Sequence, residues 1–204
     1  MARVRPDEPE AQPHRLFVAV PIPPAVRSTM ANGVEDLRRH CPTFRWVQPE
    51  HWHVTLRFLG PTDPKWLPWI HDRITHAARS FPSFGTHLQG IGAFPSLDRA
   101  RVLWIGVADP DRSWPALASV LEERLGERFA PAPPVSFTPH VTVARSRRPV
   151  ALADRVRTAP LDAGAFTVDA LALIRSHLRG AGVAYTSVGA YPLTGRRGAR
   201  DPAR

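Results

Sequence analysis

The chain has 204 residues, 43% hydrophobic and 22% charged, with a net charge of +9; that is enough apolar material to bury a core in one domain or two small lobes, and it excludes a disordered chain. The longest apolar runs, LFVAV and VLWIGV, are strand-sized and far short of the ~20 residues a membrane span needs. Lys65 is the only lysine, so arginine supplies almost all the basic charge; its planar fork pairs bidentately with phosphate, although an arginine-rich composition gives the same excess on any surface.

Residues 1–14, MARVRPDEPEAQPH, are polar and rich in proline and acid, and are expected to be a disordered extension without secretory character. A cytoplasmic location is the default expectation. RLFVAVP, 15–21, is apolar, β-branched and closed by proline, which predicts a buried strand. Pro23 and Pro24 then open a helix with Val26, Met30, Val34 and Leu37 at helical spacing. FRWVQ and the strand HWHVTLRFLG follow, then a second helix from about Pro64 with Leu67, Ile70, Ile74 and Ala78 on one face. THLQGIGAF and VLWIGV read as strands, and a third helix carries Leu117, Leu121 and Leu125. The proline-rich APAPPVS leads into FTPHVTVAR; a short helix after Pro149 precedes two closing strands, FTVDALALI and YTSVGAYPL. Residues 194–204 are expected to form a basic disordered tail. Lone Cys41 supports neither an internal disulfide nor a structural zinc site and is expected to be buried.

The inventory contains a repeat. His53-Val54-Thr55 recurs as His140-Val141-Thr142, each on a strand that follows a strand and a helix. Halves of about 15–98 and 101–193 therefore point to duplication and a two-lobed α+β fold within one unit, 15–193. Successive strand residues point to opposite faces, so His53 and Thr55 share one face at about 7 Å while Val54 and Leu56 enter the core. The same holds for His140 and Thr142. If the two strands face each other across a pseudo-twofold cleft, an imidazole and a hydroxyl approach from each side, a geometry suited to one phosphate.

Displacement at phosphorus needs that arrangement. The attacking and departing oxygens lie roughly in line, so proton removal and proton delivery occur on opposite sides. Two histidines with an ordinary pKa near ~6.5 supply base and acid, and hydroxyls with an arginine hold the non-bridging oxygens. The scheme requires no metal or cofactor.

RLFVAV, RWVQPEHWHVTLRFLG, FTPHVTVAR and the last strand ending in YPL resemble the bacterial and archaeal branch of the 2H phosphoesterases, the RNA 2′,3′-cyclic phosphodiesterases long named 2′-5′ RNA ligases. The likeness covers about residues 15–193. It implies a bilobal α+β fold, with antiparallel sheets lining a central cleft and helices outside, and hydrolysis of RNA 2′,3′-cyclic phosphate ends to 2′-phosphomonoesters. By motif position it makes His53 the proton donor to the leaving 3′ oxygen and His140 the acceptor that activates water. Thr55 and Thr142 then bind phosphate oxygens, assisted by Arg145. The second motif has valine before AR where the family often has leucine.

Arg57 shares strand parity with His53 and Thr55, which offers it to the phosphate or an adjoining nucleotide; a solvated arginine at the rim is the other reading. Arg145 has the opposite parity to His140, which argues against contact unless the strand twists or ends. His51 and His53 form an H-x-H pair, yet a catalytic zinc site takes about three protein ligands and no third stands at a comparable position, so His51 is expected at a turn or surface. His14, His40, His71, His76, His87 and His177 have no repeat partner and are expected to be structural or exposed. Phe17, Trp46, Trp52, Phe58 and Trp104 lie on or beside strands, where core packing is the commoner use and only a ring that opens onto the cleft can stack a base; the sequence does not sort them. Two further activities use the same residues, namely 2′-5′ ligation and cleavage of another cyclic nucleotide. A non-catalytic RNA-binding module makes no demand for two His-x-Thr pairs. The ligand class is an RNA with a cyclic end or a cyclic nucleotide; a monomer is expected, because the duplication supplies both halves of the site.

Overall fold

The computed structural model describes residues 13–130, 137–152, 154–157, 161–179 and 182–196. The expectations for 1–12, for most of APAPPVS and for 197–204 lie outside the described residues. Strand β1 (His14–Pro21) is buried from Leu16 through Val20, because both faces of the sheet are covered there. Helix α1 (Pro24–His40) starts on proline, whose fixed φ suits the first turn, and buries the expected stripe Val26, Met30, Val34 and Leu37. Arg38, Arg39 and His40 close it against the negative end of the helix dipole. A two-residue strand β2 (Arg45–Trp46) and a 3-10 turn, Pro49–His51, lead into β3 (His53–Thr62).

After a second 3-10 turn, α2 (Leu67–Ser80) buries Ile70, Ile74, Ala77 and Ala78. Then come β4 (Phe84–Phe94), β5 (Ala100–Ala108) and α3 (Ser113–Leu125), whose buried residues are Trp114, Leu117, Leu121 and Leu125. Trp114 is the largest fully buried side chain; its indole N–H donates to Thr86 Oγ1, which donates in turn to the Ala108 carbonyl, so no polar atom of that trio is stranded. Strand β6 (His140–Val150), a four-residue helix α4 (Asp154–Arg157), β7 (Asp162–Val168), β8 (Ala170–Arg179) and β9 (Gly182–Pro192) complete the fold.

The expected closing strand FTVDALALI is two strands. It breaks at Asp169: β7 pairs with β4, and β8 pairs with β1. The Asp169 carbonyl at the break accepts a hydrogen bond from the Leu193 amide at 2.7 Å. At the other boundary the chain past β9 is tied down beyond the expected start of the tail. Thr194 N–H donates to the Ala78 carbonyl and Gly195 N–H to the Phe81 carbonyl, both at the end of α2.

The described strands form one curled antiparallel sheet in the order β7-β4-β5-β6-β3-β1-β8-β9, with β2 added beside β6. That order reads symmetrically about the β6–β3 seam, with β6 answering β3, β5 answering β1 and β4 answering β8. The sequence repeats and the spatial lobes are therefore not the same residues. The strand that ends the first repeat, β4, pairs with β5 of the second, while β8 of the second pairs with β1 of the first. Helices pack on one side, α1 against β7, α3 against β3, and α2 against β9 and α3. The main core fills the space between. The other side is the cleft.

Candidate active site

The two motif strands are neighbours, not opposing walls: β3 meets β6 at Val54–Val141, where the lobes join. An antiparallel register centred there sets His53 beside Thr142 and Thr55 beside His140. Val54 and Val141 are fully buried beneath the helices. The four polar residues rise from one floor into a cleft of about 370 Å³ that is also lined by Arg145.

Each histidine is fixed in the same way. His53 Nδ1 lies 2.7 Å from the carbonyl oxygen of His51, and His140 Nδ1 lies 2.7 Å from that of Thr138, in both cases two residues earlier in the chain. A carbonyl only accepts, so Nδ1 carries the proton and donates; Nε2 is left as the nitrogen that exchanges one. The rings are propped by aromatics in matching fashion. Phe17 and the edge of Tyr185 stand 4.9 and 5.4 Å from the His53 ring, while Phe94 and Trp104 stand 5.0 and 6.0 Å from His140. Sequence reading did not identify Phe94 or Tyr185 as parts of the site, because their strands carry no chemical motif.

Both motif strands then bulge at the same place. Leu56 is skipped in the pairing of β3 with β1, and Val143 is skipped in the pairing of β6 with β5. One extra residue reverses the alternation, so the fifth residue after each histidine faces the cleft and the fourth faces the core. For the second motif this brings Arg145 into the cleft lining, contrary to simple parity. For the first it turns Arg57 away, which corrects the expectation that Arg57 binds phosphate. Its side chain is 6% exposed, its Nε lies 2.7 Å from Glu122 Oε2 on α3, and its Nη2 donates to the Ala130 carbonyl. The Nε–Oε2 approach is off the N–H axis, so the contact is ionic more than hydrogen-bonded. Phe58 takes the cleft position instead and is 67% exposed.

The other aromatics are now sorted. Trp52 is buried in the core, Trp46 packs against it beneath Arg38, and Phe17 lies under His53. His51, expected at a turn, ends the 3-10 turn and also lines the cleft, its ring 5.0 Å from Tyr185 in an edge-on contact.

No aspartate or glutamate lines the cleft among the described residues, and Arg145 makes no ion pair with any of them. Such a pocket focuses positive potential. Burial pushes His53 down to about 4, helped by the charges of Arg145, His51 and His140 and opposed by the His51 carbonyl. His140 is lowered too, by burial and then Arg145, against the Thr138 carbonyl. Both imidazoles are thus biased toward neutrality in the free protein. Among the described residues no three histidine, cysteine or carboxylate side chains converge as metal ligands.

Residues 23–180 match the family model described as the 2′-5′ RNA ligase superfamily. An RNA 2′,3′-cyclic phosphodiesterase from Thermus thermophilus is 33% identical over 192 residues, 90% of this chain and 92% of its own length. One from Methanothermobacter thermautotrophicus is 28% identical over 186 residues, 88% and 98% of the two chains. The crystal structure of the Thermus thermophilus protein TT0787 superposes with a TM-score of 0.78 at 29% identity, covering 90% of this chain and 100% of that one. With paired His-x-Thr strands at the seam of a symmetric sheet and a family match spanning most of its length, the chain belongs to the 2′-5′ RNA ligase superfamily.

Proposed function

We propose that the chain hydrolyses RNA 2′,3′-cyclic phosphate ends to 2′-phosphomonoesters by paired-histidine acid–base catalysis. The observation that carries this reading is the matched anchoring of the two imidazoles by Nδ1, on adjacent strands, beside two threonines and Arg145 in a cleft whose described lining holds no carboxylate. His140 Nε2 takes a proton from the attacking water as its oxygen bonds to phosphorus. His53 Nε2 gives a proton to the 3′ oxygen as the P–O3′ bond breaks, leaving the phosphate on the 2′ oxygen. Thr55, Thr142 and Arg145 hold the non-bridging oxygens, where the transition-state charge develops. The relatives' activity on RNA cyclic ends agrees with this chemistry.

The decisive experiment is to identify the product from a short RNA ending in a 2′,3′-cyclic phosphate. The expected product carries a 2′-phosphate, and EDTA leaves the rate unchanged. A 3′-phosphate, or joining to a 5′-hydroxyl strand as the main product, overturns the assignment.

The lowered histidines set the sign of the pH dependence. In the free protein the productive form has His53 charged and His140 neutral; because both are lowered, and His53 to about 4, it is scarce at neutral pH and declines further as pH rises. A bound phosphate anion favours the imidazolium and moves the titration upward. The expected result is a bell for kcat/KM centred on the acidic side of the bell for kcat. Coincident profiles would rule out phosphate-linked protonation.

Gly92 tests the prop on His140. A Cβ at that position falls 2.0 Å from Trp104 ring carbons, so Gly92→Ala must displace the indole that lies beside His140. The expected outcome is a fall in kcat of about 10- to 100-fold with little change in KM. Wild-type kcat in the folded variant would show that Trp104 does not position the imidazole.

A further inference from the structure

The cleft continues past the catalytic groups to a rim that the chemistry above does not use. There Arg15 of β1 is paired in register with Ser176 of β8, and His177 adjoins it. Pro21 at the far end of β1 sits opposite His53. Arg15 lies six residues back along that strand, which at ~3.3 Å per residue places its backbone ~20 Å from the His53 pairing. That is beyond a single nucleotide whose phosphate is held between the histidines. Arg15 shares strand parity with Phe17, so it stands on the cleft face.

We infer that this rim is a second anion subsite, in which Arg15, Ser176 and His177 hold a phosphodiester of the strand preceding the cyclic end, so that the substrate is an RNA strand and not a cyclic mononucleotide. The inference rests on the hydrolytic reading above.

Two observations support it. Arg15 and Arg145 both line the cleft, and neither guanidinium faces a carboxylate within 4.0 Å among the described residues. An exposed guanidinium at each end of a groove whose described lining holds no carboxylate suits a polyanion that bridges the two. Between them stands Phe58, 67% exposed and backed by the buried Phe17 at a centroid distance of 6.0 Å, an aromatic face on which an unpaired base can stack without sequence preference.

The test compares a mononucleoside 2′,3′-cyclic phosphate with di-, tri- and tetranucleotides bearing the same end, using the full-length protein. The tetranucleotide is expected to show a kcat/KM about 10-fold above the mononucleoside, the size of one charge-assisted phosphate contact. Arg15→Gln removes that advantage through KM, lowers the salt slope of log KM by about one and leaves the mononucleoside reaction within about twofold; Arg15→Lys recovers part of it. Equal kcat/KM for all lengths, or an equal loss on every substrate in Arg15→Gln, overturns the subsite while leaving the hydrolytic reading intact. If wild-type protein hydrolyses none of them, the hydrolytic reading itself falls, and the subsite with it.

Discussion

Replacing either cleft histidine by alanine, His53→Ala or His140→Ala, is expected to lower kcat on an RNA cyclic end by about 10²–10⁴-fold, with KM changed by only a few-fold. In the proposed mechanism each imidazole moves one proton at one oxygen, and in-line geometry gives neither access to the other's oxygen, so one cannot stand in for its partner. The ground-state contacts to the phosphate in that mechanism come from Thr55, Thr142 and Arg145, which line the cleft and which both variants keep. The double variant is expected to fall little further than the worse single one, because residues that act as a unit lose their function together. The fold should survive: each ring makes one hydrogen bond to a nearby carbonyl and sits at the edge of aromatic contacts, outside the main core. Steady-state kinetics with denaturation curves for all three variants check this. Retention of wild-type kcat in either single variant removes the acid–base scheme.

The pairing of the histidines was readable because a two-residue period carries its own geometry, and a repeat separates design from coincidence. The helices were readable for the same reason, since Val26, Met30, Val34 and Leu37 mark a stripe at helical spacing that can only face the core. What was hidden is what a period cannot express. A bulge adds one residue and reverses every face beyond it. In the second motif it left a trace, two adjacent apolar residues, Val143 and Ala144, both buried where the alternation running from His140 would expose Ala144. In the first motif the same trace was masked, because the fourth residue after the histidine is Arg57, which reads as surface by type and is buried in fact. Asp169 was a second overlooked sign: aspartate is disfavoured inside strands, and the chain leaves one lobe for the other there. The exchange of β4 and β8 between lobes left no local signal, since strand pairing over such distances depends on the whole sheet.

Arg57 also yields the largest expected effect on stability. Glu122→Ala is expected to destabilise the protein by about 3 kcal/mol, at the low end for removing one partner of a buried ion pair. The guanidinium is left 6% exposed under α3 without its carboxylate, although the Ala130 carbonyl remains as one acceptor. Arg57→Met is expected to cost much less, under about 1 kcal/mol. The methionine refills the apolar path of the arginine stem, and Glu122, whose side chain is 33% exposed, turns its charge to water. Urea titrations of the two variants give the asymmetry directly, as a midpoint shift in one and little in the other. Neither variant should alter KM for an RNA cyclic end, because the bulge at Leu56 keeps Arg57 on the opposite face from His53 and Thr55. A rise of about 10-fold or more in KM for Arg57→Met at unchanged stability would return that arginine to the phosphate and place the bulge in error.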